Sequence, residues 1–152
     1  MTPRISARGL VVEDNRLLTS RYQSGDEQWY LTPGGVQHPG ETLVETVRRE
    51  VSEETGYEAR VESLAFVRDL VPSNHHEDGD DENHRVDHFF WCELVDDEPA
   101  VPTEFDAKQV GVEWLPLEKL STVHFFPSGL IDPLQTSAER DTRDARYVGD
   151  IR

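Results

Sequence analysis

Two apolar-rich stretches, residues 6–12 and 16–22, flank the polar turn Glu13-Asp14-Asn15, which predicts a β-hairpin at the start of a sheet. After a polar loop at 23–27, Trp29-Tyr30-Leu31 reads as a short strand that Pro33-Gly34-Gly35 brings to an end. The period then changes. Thr42 with Glu45 three residues on fits a capping box, and Gly56 sits where a left-handed cap belongs, so the spacing predicts a helix over Leu43–Thr55. A strand follows at Ala59–Leu70, with Val61, Leu64, Phe66 and Leu70 in imperfect alternation. A polar loop at 72–84, a strand at 85–95, a turn at 96–102 and a strand at 110–115 come next. Residues 117–120 read as a helical turn and 128–138 as a second helix, with Pro133 tolerable only near its first turn. The polar tail from about 139 is expected to be loosely held. Strands on both sides of a long helix, with a second helix late, predict an α/β (α+β) fold: one domain over 1–152 with a mixed sheet between helices.

Composition narrows the function. With 152 residues the chain can bury a core without disulfides, and its one cysteine, Cys92, lies in an apolar run that predicts a buried thiol. No stretch approaches the roughly 20 apolar residues of a membrane span and no apolar leader is visible, so a cytoplasmic protein without a membrane partner is expected. The formal charge is −16, which opposes binding to duplex nucleic acid. A phosphorylated small molecule remains compatible if divalent cations mask the repulsion. Residues 77–106 hold twelve acidic side chains against Arg85, a net of −11, read mainly as a solvated loop and hairpin tip.

The chemistry concentrates on the long helix. Glu50, Glu53 and Glu54 stand at i, i+3 and i+4, which places three carboxylates on one stripe. Val44, Val47 and Val51 form a second stripe roughly 100° around the helix, so one side can pack on the sheet while the other faces a cleft. Three carboxylates on one face repel unless a cation lies among them, and hard oxygen ligands suit Mg²⁺ or Mn²⁺. An exposed acidic helix face would show the same three residues; the longer pattern separates the two readings. Gly35, five residues, Glu41, seven residues, then Arg49-Glu50-Val51-x-Glu53-Glu54-x-Gly56-Tyr57 carries seven fixed positions, the two glycines, four glutamates and Arg49, beside the apolar Val51 and Tyr57. At about one in ten per position, a chance match somewhere in the chain is on the order of one in 10⁵.

Residues 35–57 resemble the box of the Nudix (MutT-like) hydrolases. The flanking Trp29 to Gly34 and Val112-Glu113-Trp114-Leu115-Pro116-Leu117 are similar to the same family. The resemblance implies the Nudix fold and a pyrophosphohydrolase. By motif position it implies metal ligation by Glu50, Glu53 and Glu54, with Arg49 holding the carboxylates and Glu41 as a supporting or additional ligand. Gly34 or Gly35 would lend a backbone carbonyl to a metal. His38 stands where many members carry a Glu. Glu54 is the first choice for the base that activates water, with Glu77, Glu82, Glu104 and Glu113 as downstream alternatives.

Other signals are weaker. His75, His76, His84 and His88 show no recognised ligand spacing. Of Trp29, Phe66, Phe89, Phe90, Trp91 and Trp114, one or two are expected to reach a pocket and the rest to build the core. Pro72 lies 15 residues past Tyr57, a spacing that resembles the ADP-ribose-cleaving subgroup, although a proline ending a strand gives the same spacing. The expected substrate is therefore a small nucleotide, a nucleoside diphosphate joined to another group, with ADP-ribose or a nucleoside diphosphate sugar first. Nucleoside triphosphate clean-up comes second, a non-catalytic binding module third, and a homodimer is left open.

Overall fold

The hairpin at the N-terminus forms because two residues accept a left-handed backbone. In the computed structural model, which describes residues 2–75, 81–140 and 144–152, β1 (Arg4–Glu13) and β2 (Arg16–Ser24) are joined by Asp14 and Asn15 at φ 52° and 59°. Such a two-residue turn matches the natural strand twist. β3 (Glu27–Leu31) returns antiparallel to β2. Pro33 does interrupt the chain, but Gly34–Val36 resumes as a three-residue strand, β4, antiparallel to β1. Pro33-Gly34-Gly35 predicts an end to regular structure here. What overrides that ending is pairing: Gly34 lies so close to β1 that a Cβ would stand 2.3 Å from Arg8 Cγ, a contact only glycine permits.

The long helix, α1, spans Leu43–Thr55 with both expected caps present: reciprocal Thr42–Glu45 hydrogen bonds and Gly56 at φ 79°. Then come β5 (Ala59–Leu70), β6 (Arg85–Leu94), β7 (Gln109–Pro116), β8 (Phe125–Phe126), α2 (Ile131–Arg140) and β9 (Arg146–Asp150). The sheet order is β8-β3-β2-β1-β6-β5-β9, with β4 also on β1 and β7 also on β2. Three pairs, β1–β6, β3–β8 and β5–β9, run parallel and the others antiparallel, so the sheet is mixed.

Each face of the sheet is covered by a helix. Val47 and Val51 of α1 pack with Ala7, Val11, Leu18 and Cys92 on one face. Leu134 of α2 packs with Leu10, Phe66, Phe89 and Trp91 on the other. Burying each such side chain contributes about 1.5–3 kcal/mol before entropic costs. Val44, grouped with the apolar stripe in the sequence, is 41% exposed and lies outside that seam.

The tail also departs from expectation. Although polar, residues 146–150 form β9 alongside β5, and Asp150 accepts hydrogen bonds from Val71 N and Asn74 Nδ2. Backbone pairing with a distant strand replaces the missing apolar signal. His76 and Glu77 lie outside the described residues. Among the described residues, no helix is long and apolar enough to cross a membrane.

Candidate active site

The carboxylates of α1 are organised by one guanidinium. Arg49 donates from Nε to Glu41 Oε2 at 2.7 Å, from Nη1 to Glu50 Oε1 at 2.8 Å and to Glu53 Oε2 at 3.3 Å. Its Nη2 reaches Glu41 Oε1 at 3.0 Å and the Val36 carbonyl at 3.2 Å. The helix supplies this geometry, since Arg49 and Glu53 are one turn apart, and the β4 loop brings Glu41 and Val36 to the same fork. The Arg49 hydrogen bonds hold the Glu41 carboxyl down to about 2, helped by the His38 N–H.

Glu54 is set apart from this cluster. It is 2% exposed, Oε2 accepts the Gly34 N–H at 2.8 Å, and Oε1 has no partner among the described residues. Burial pushes its carboxyl up to about 8; Arg8 pulls the other way, while the nearby Glu50 charge adds to the rise. Burial also raises Glu50, against Arg49. Gly35 leaves the space above Glu50 open, because a Cβ there would stand 2.6 Å from Glu50 Oε1.

A cleft of about 160 Å³ is lined by Glu50, Glu53, Glu54, Arg49, His38 and the loop residues Glu104, Phe105 and Asp106. That loop is stitched to α1, with Glu104 N donating to the Glu53 carbonyl and Gln109 Nε2 to the Glu54 carbonyl. Asp106 adds charge beside Glu54 and accepts from the Tyr22 hydroxyl at 3.5 Å. Asp106, Phe105, Tyr22, Gln109 and Arg8 were not foreseen as site residues. Only folding brings them to α1, and no local spacing announces them.

The other candidates separate. Glu104 lines the cleft, whereas Glu113 lies beside Tyr30, which belongs to the core on the α2 face. Glu82 falls in the 3₁₀ turn Asp81–Asn83. Glu77 and His76 are outside the described residues. His75 contacts Asp150 and His84 approaches Asp69 at 3.9 Å, on paired positions of β9 and β5, while His88 contacts the Ser6 carbonyl. Phe66, Phe89 and Trp91 are core on the α2 face, Phe90 packs against the core on the α1 face, and Trp114 meets Tyr57 edge-on. Trp29 reaches a pocket. Cys92 is buried, which pushes its thiol up to about 12. Pro72 is buried at the head of the 3₁₀ turn Pro72–Asn74, where a missing N–H costs nothing.

Among the described residues, no three His, Cys, Asp or Glu side chains already enclose a point where a cation could sit. The donor set nevertheless suits a hard divalent ion. Glu50 and Glu53 each commit one oxygen to Arg49, Glu54 holds a buried unpartnered oxygen, and Gly35 leaves room beside Glu50.

Comparison with known proteins identifies the family. The chain is 30% identical over 141 residues to YjhB of Bacillus subtilis, covering 93% of this chain and 57% of that protein. It is 38% identical over 66 residues to an ADP-ribose pyrophosphatase of Methanocaldococcus jannaschii, covering 43% of this chain and 39% of that one. The chain therefore spans about half the length, or less, of these curated relatives. A Nudix hydrolase structure from Nitrosomonas europaea superposes with a TM-score of 0.74 at 18% identity, covering 93% and 92% of the two chains. The NUDIX domain model matches residues 2–138, and with the mixed sheet, the Arg49-centred carboxylates and Glu54 behind them, the chain belongs to the Nudix family.

Proposed function

We propose that the protein is a divalent-metal-dependent pyrophosphohydrolase that splits the phosphoric anhydride of a nucleoside diphosphate joined to a second group, with ADP-ribose the first candidate. The observation that carries the reading is the division of labour on α1: Arg49 gathers Glu41, Glu50 and Glu53, and Glu54 stands behind them with Oε1 buried and without a partner among the described residues. A structural acidic helix face has no reason to bury a carboxyl oxygen without a partner, a cost of at least about 1–3 kcal/mol.

Glu50, Glu53 and Glu54 would hold Mg²⁺ or Mn²⁺, with Glu41 supporting and Gly34 or Gly35 adding a carbonyl. When bound, such an ion neutralises charge on phosphoryl oxygens and acidifies a water. The chain's own residues do the rest. Arg49 fixes the carboxylate orientation by paired hydrogen bonds. Glu54 Oε1, which accepts no hydrogen bond among the described residues, would accept the proton of the attacking water. Asp106, anchored through its own N–H to Gln109 Oε1, is a loop carboxylate lining the same cleft and takes that role if Glu54 is fully engaged by metal.

Support for the substrate comes from the relatives' names: the archaeal protein is called an ADP-ribose pyrophosphatase and YjhB provisionally so. The test is a panel of ADP-ribose, NADH, nucleotide sugars, dinucleoside polyphosphates and nucleoside triphosphates with Mg²⁺ or Mn²⁺. We expect AMP from ADP-ribose with kcat/KM of about 10⁴ M⁻¹s⁻¹ or more. A nucleoside triphosphate hydrolysed about a hundredfold more efficiently would replace ADP-ribose by nucleotide clean-up.

A further inference from the structure

Apart from the carboxylate cleft, a larger one opens where the two halves of the sheet part. β1 and β2 pair only at Val12–Leu17 and Glu13–Arg16, so toward Ser6 the strands are not bonded to each other. The resulting cleft, about 500 Å³, has Trp29 and Leu31 of β3 and Phe126 on one side, and Arg68 and Arg85 on the other. That volume falls in the range of small-molecule sites.

Charge in this cleft runs against the rest of the molecule. Asp87, fully buried, receives Arg68 Nε at 2.7 Å and Arg85 Nε at 3.2 Å on Oδ2, and Arg8 Nε stands 4.0 Å from Oδ1. Ser6 Oγ also donates to Oδ1. Three guanidinium groups therefore share one carboxylate in a chain of formal charge −16, and two of them, Arg68 and Arg85, line the cleft together with Arg152. Two of the three are committed further: Arg68 Nη1 donates to the Ile151 carbonyl and Arg8 Nη1 to the Thr32 carbonyl. Arg85 makes no such bond among the described residues, and its side chain is 31% exposed. Glu27, the acidic residue on the rim, is solvent-exposed. Arginine does not escape by losing its proton. An uncompensated, partly buried pair of cations beside an aromatic wall is costly unless an anion completes it.

We propose that this arginine-floored cleft takes a phosphate group carried outside the scissile pyrophosphate, with Arg85 as the residue that grips it, so that a nucleoside diphosphate derivative with such an extra phosphate binds more tightly than ADP-ribose, which has none. The inference rests on the pyrophosphohydrolase reading for its substrate, but binding tests it without catalysis. Arg8 links the two sites, since it approaches Asp87 on one side and lowers the Glu54 carboxyl on the other. The group recognised is a tetrahedral phosphate, two of whose oxygens match a guanidinium fork.

The test has two arms. Inorganic phosphate is titrated calorimetrically into metal-free protein in chelator, as wild type, R85Q, R85K and E53Q. Wild type and E53Q should bind alike, R85Q should lose at least tenfold in affinity, and R85K should fall between. Equal phosphate affinity in folded wild type and R85Q, or no phosphate binding in wild type, overturns the proposal. Should R85Q not fold, as judged by its melting curve, R85K decides alone by the same criterion. The second arm distinguishes free phosphate from substrate phosphate by comparing NADPH with NADH, and CoA with its dephospho form. At least one phosphorylated member should show a KM about tenfold below its partner, and that ratio should collapse in R85Q. No preference in either pair, with turnover present, overturns substrate recognition. No turnover of any compound overturns the pyrophosphohydrolase reading, and the phosphate titration then decides the cleft independently.

Discussion

Glu54 concentrates the conflict between burial and charge. Its carboxyl, pushed up to about 8 by burial against the pull of Arg8, keeps its proton where an ordinary Glu near 4.5 has lost it. The folded metal-free protein therefore binds more protons than the unfolded chain between those values, so stability is greatest near the lower one and falls as pH rises through the window. In chelator, the melting temperature should drop by at least about 5 °C between pH 5 and 8, and Glu54→Gln should flatten that slope. A wild-type slope that persists unchanged in the variant would assign the proton elsewhere. The neighbouring glycines make a second contrast. Gly34→Ala would drive its Cβ to 2.5 Å from the Ala7 carbonyl oxygen and 2.6 Å from Arg8 Cα, fixed backbone atoms. We expect a loss of at least about 2 kcal/mol in urea unfolding. Gly35→Ala meets only the flexible end of Glu50, so the loss should stay below about 1 kcal/mol while metal affinity falls. Equal losses at the two positions would contradict this geometry.

Elements differ in how much of their cause is local. α1 was legible from Leu43 to Thr55 because Thr42, Glu45 and Gly56 are all within the element or next to it. Gly56 has a further constraint: its φ is 79° and an added Cβ would lie 1.9 Å from the Ala100 carbonyl oxygen. Gly56→Ala should cost at least about 2 kcal/mol, combining left-handed strain with a backbone clash, as measured by the denaturation midpoint. A change under about 1 kcal/mol would mean that the Ala100 turn moves aside freely. By contrast β9 was not legible. Arg146–Asp150 carries almost no apolar pattern, and its position comes from parallel pairing with β5 about 80 residues earlier. β4 was hidden for a related reason, because Gly-Gly reads as a breaker when the strand beside it is unknown. The carboxylates on α1 could be read from spacing, whereas Asp106 and Arg8 reach Glu54 only through the tertiary fold.

The whole molecule carries a formal charge of −16, with an acidic cluster on α1 and three arginines gathered round Asp87. Asp87 shows how such a cluster is stabilised: burial alone would raise its carboxyl, but Arg8, Arg85, Arg68 and Ser6 outweigh it and bring it to about 2. A divalent ion that binds only the folded state stabilises it by mass action, so Mg²⁺ should raise the melting temperature where K⁺ at equal ionic strength does not. An identical response to the two cations would argue against a specific carboxylate site. The most direct measurement is ADP-ribose turnover at saturating Mg²⁺ by wild type, Glu53→Gln and Glu54→Gln, each shown by its melting curve to be folded. The amide is nearly the same shape but a poorer metal ligand and base, so kcat should fall by more than roughly a hundredfold in both variants, a few kcal/mol of barrier. Near-wild-type turnover in both variants would contradict the assignment of the chemistry to the Arg49-organised face of α1.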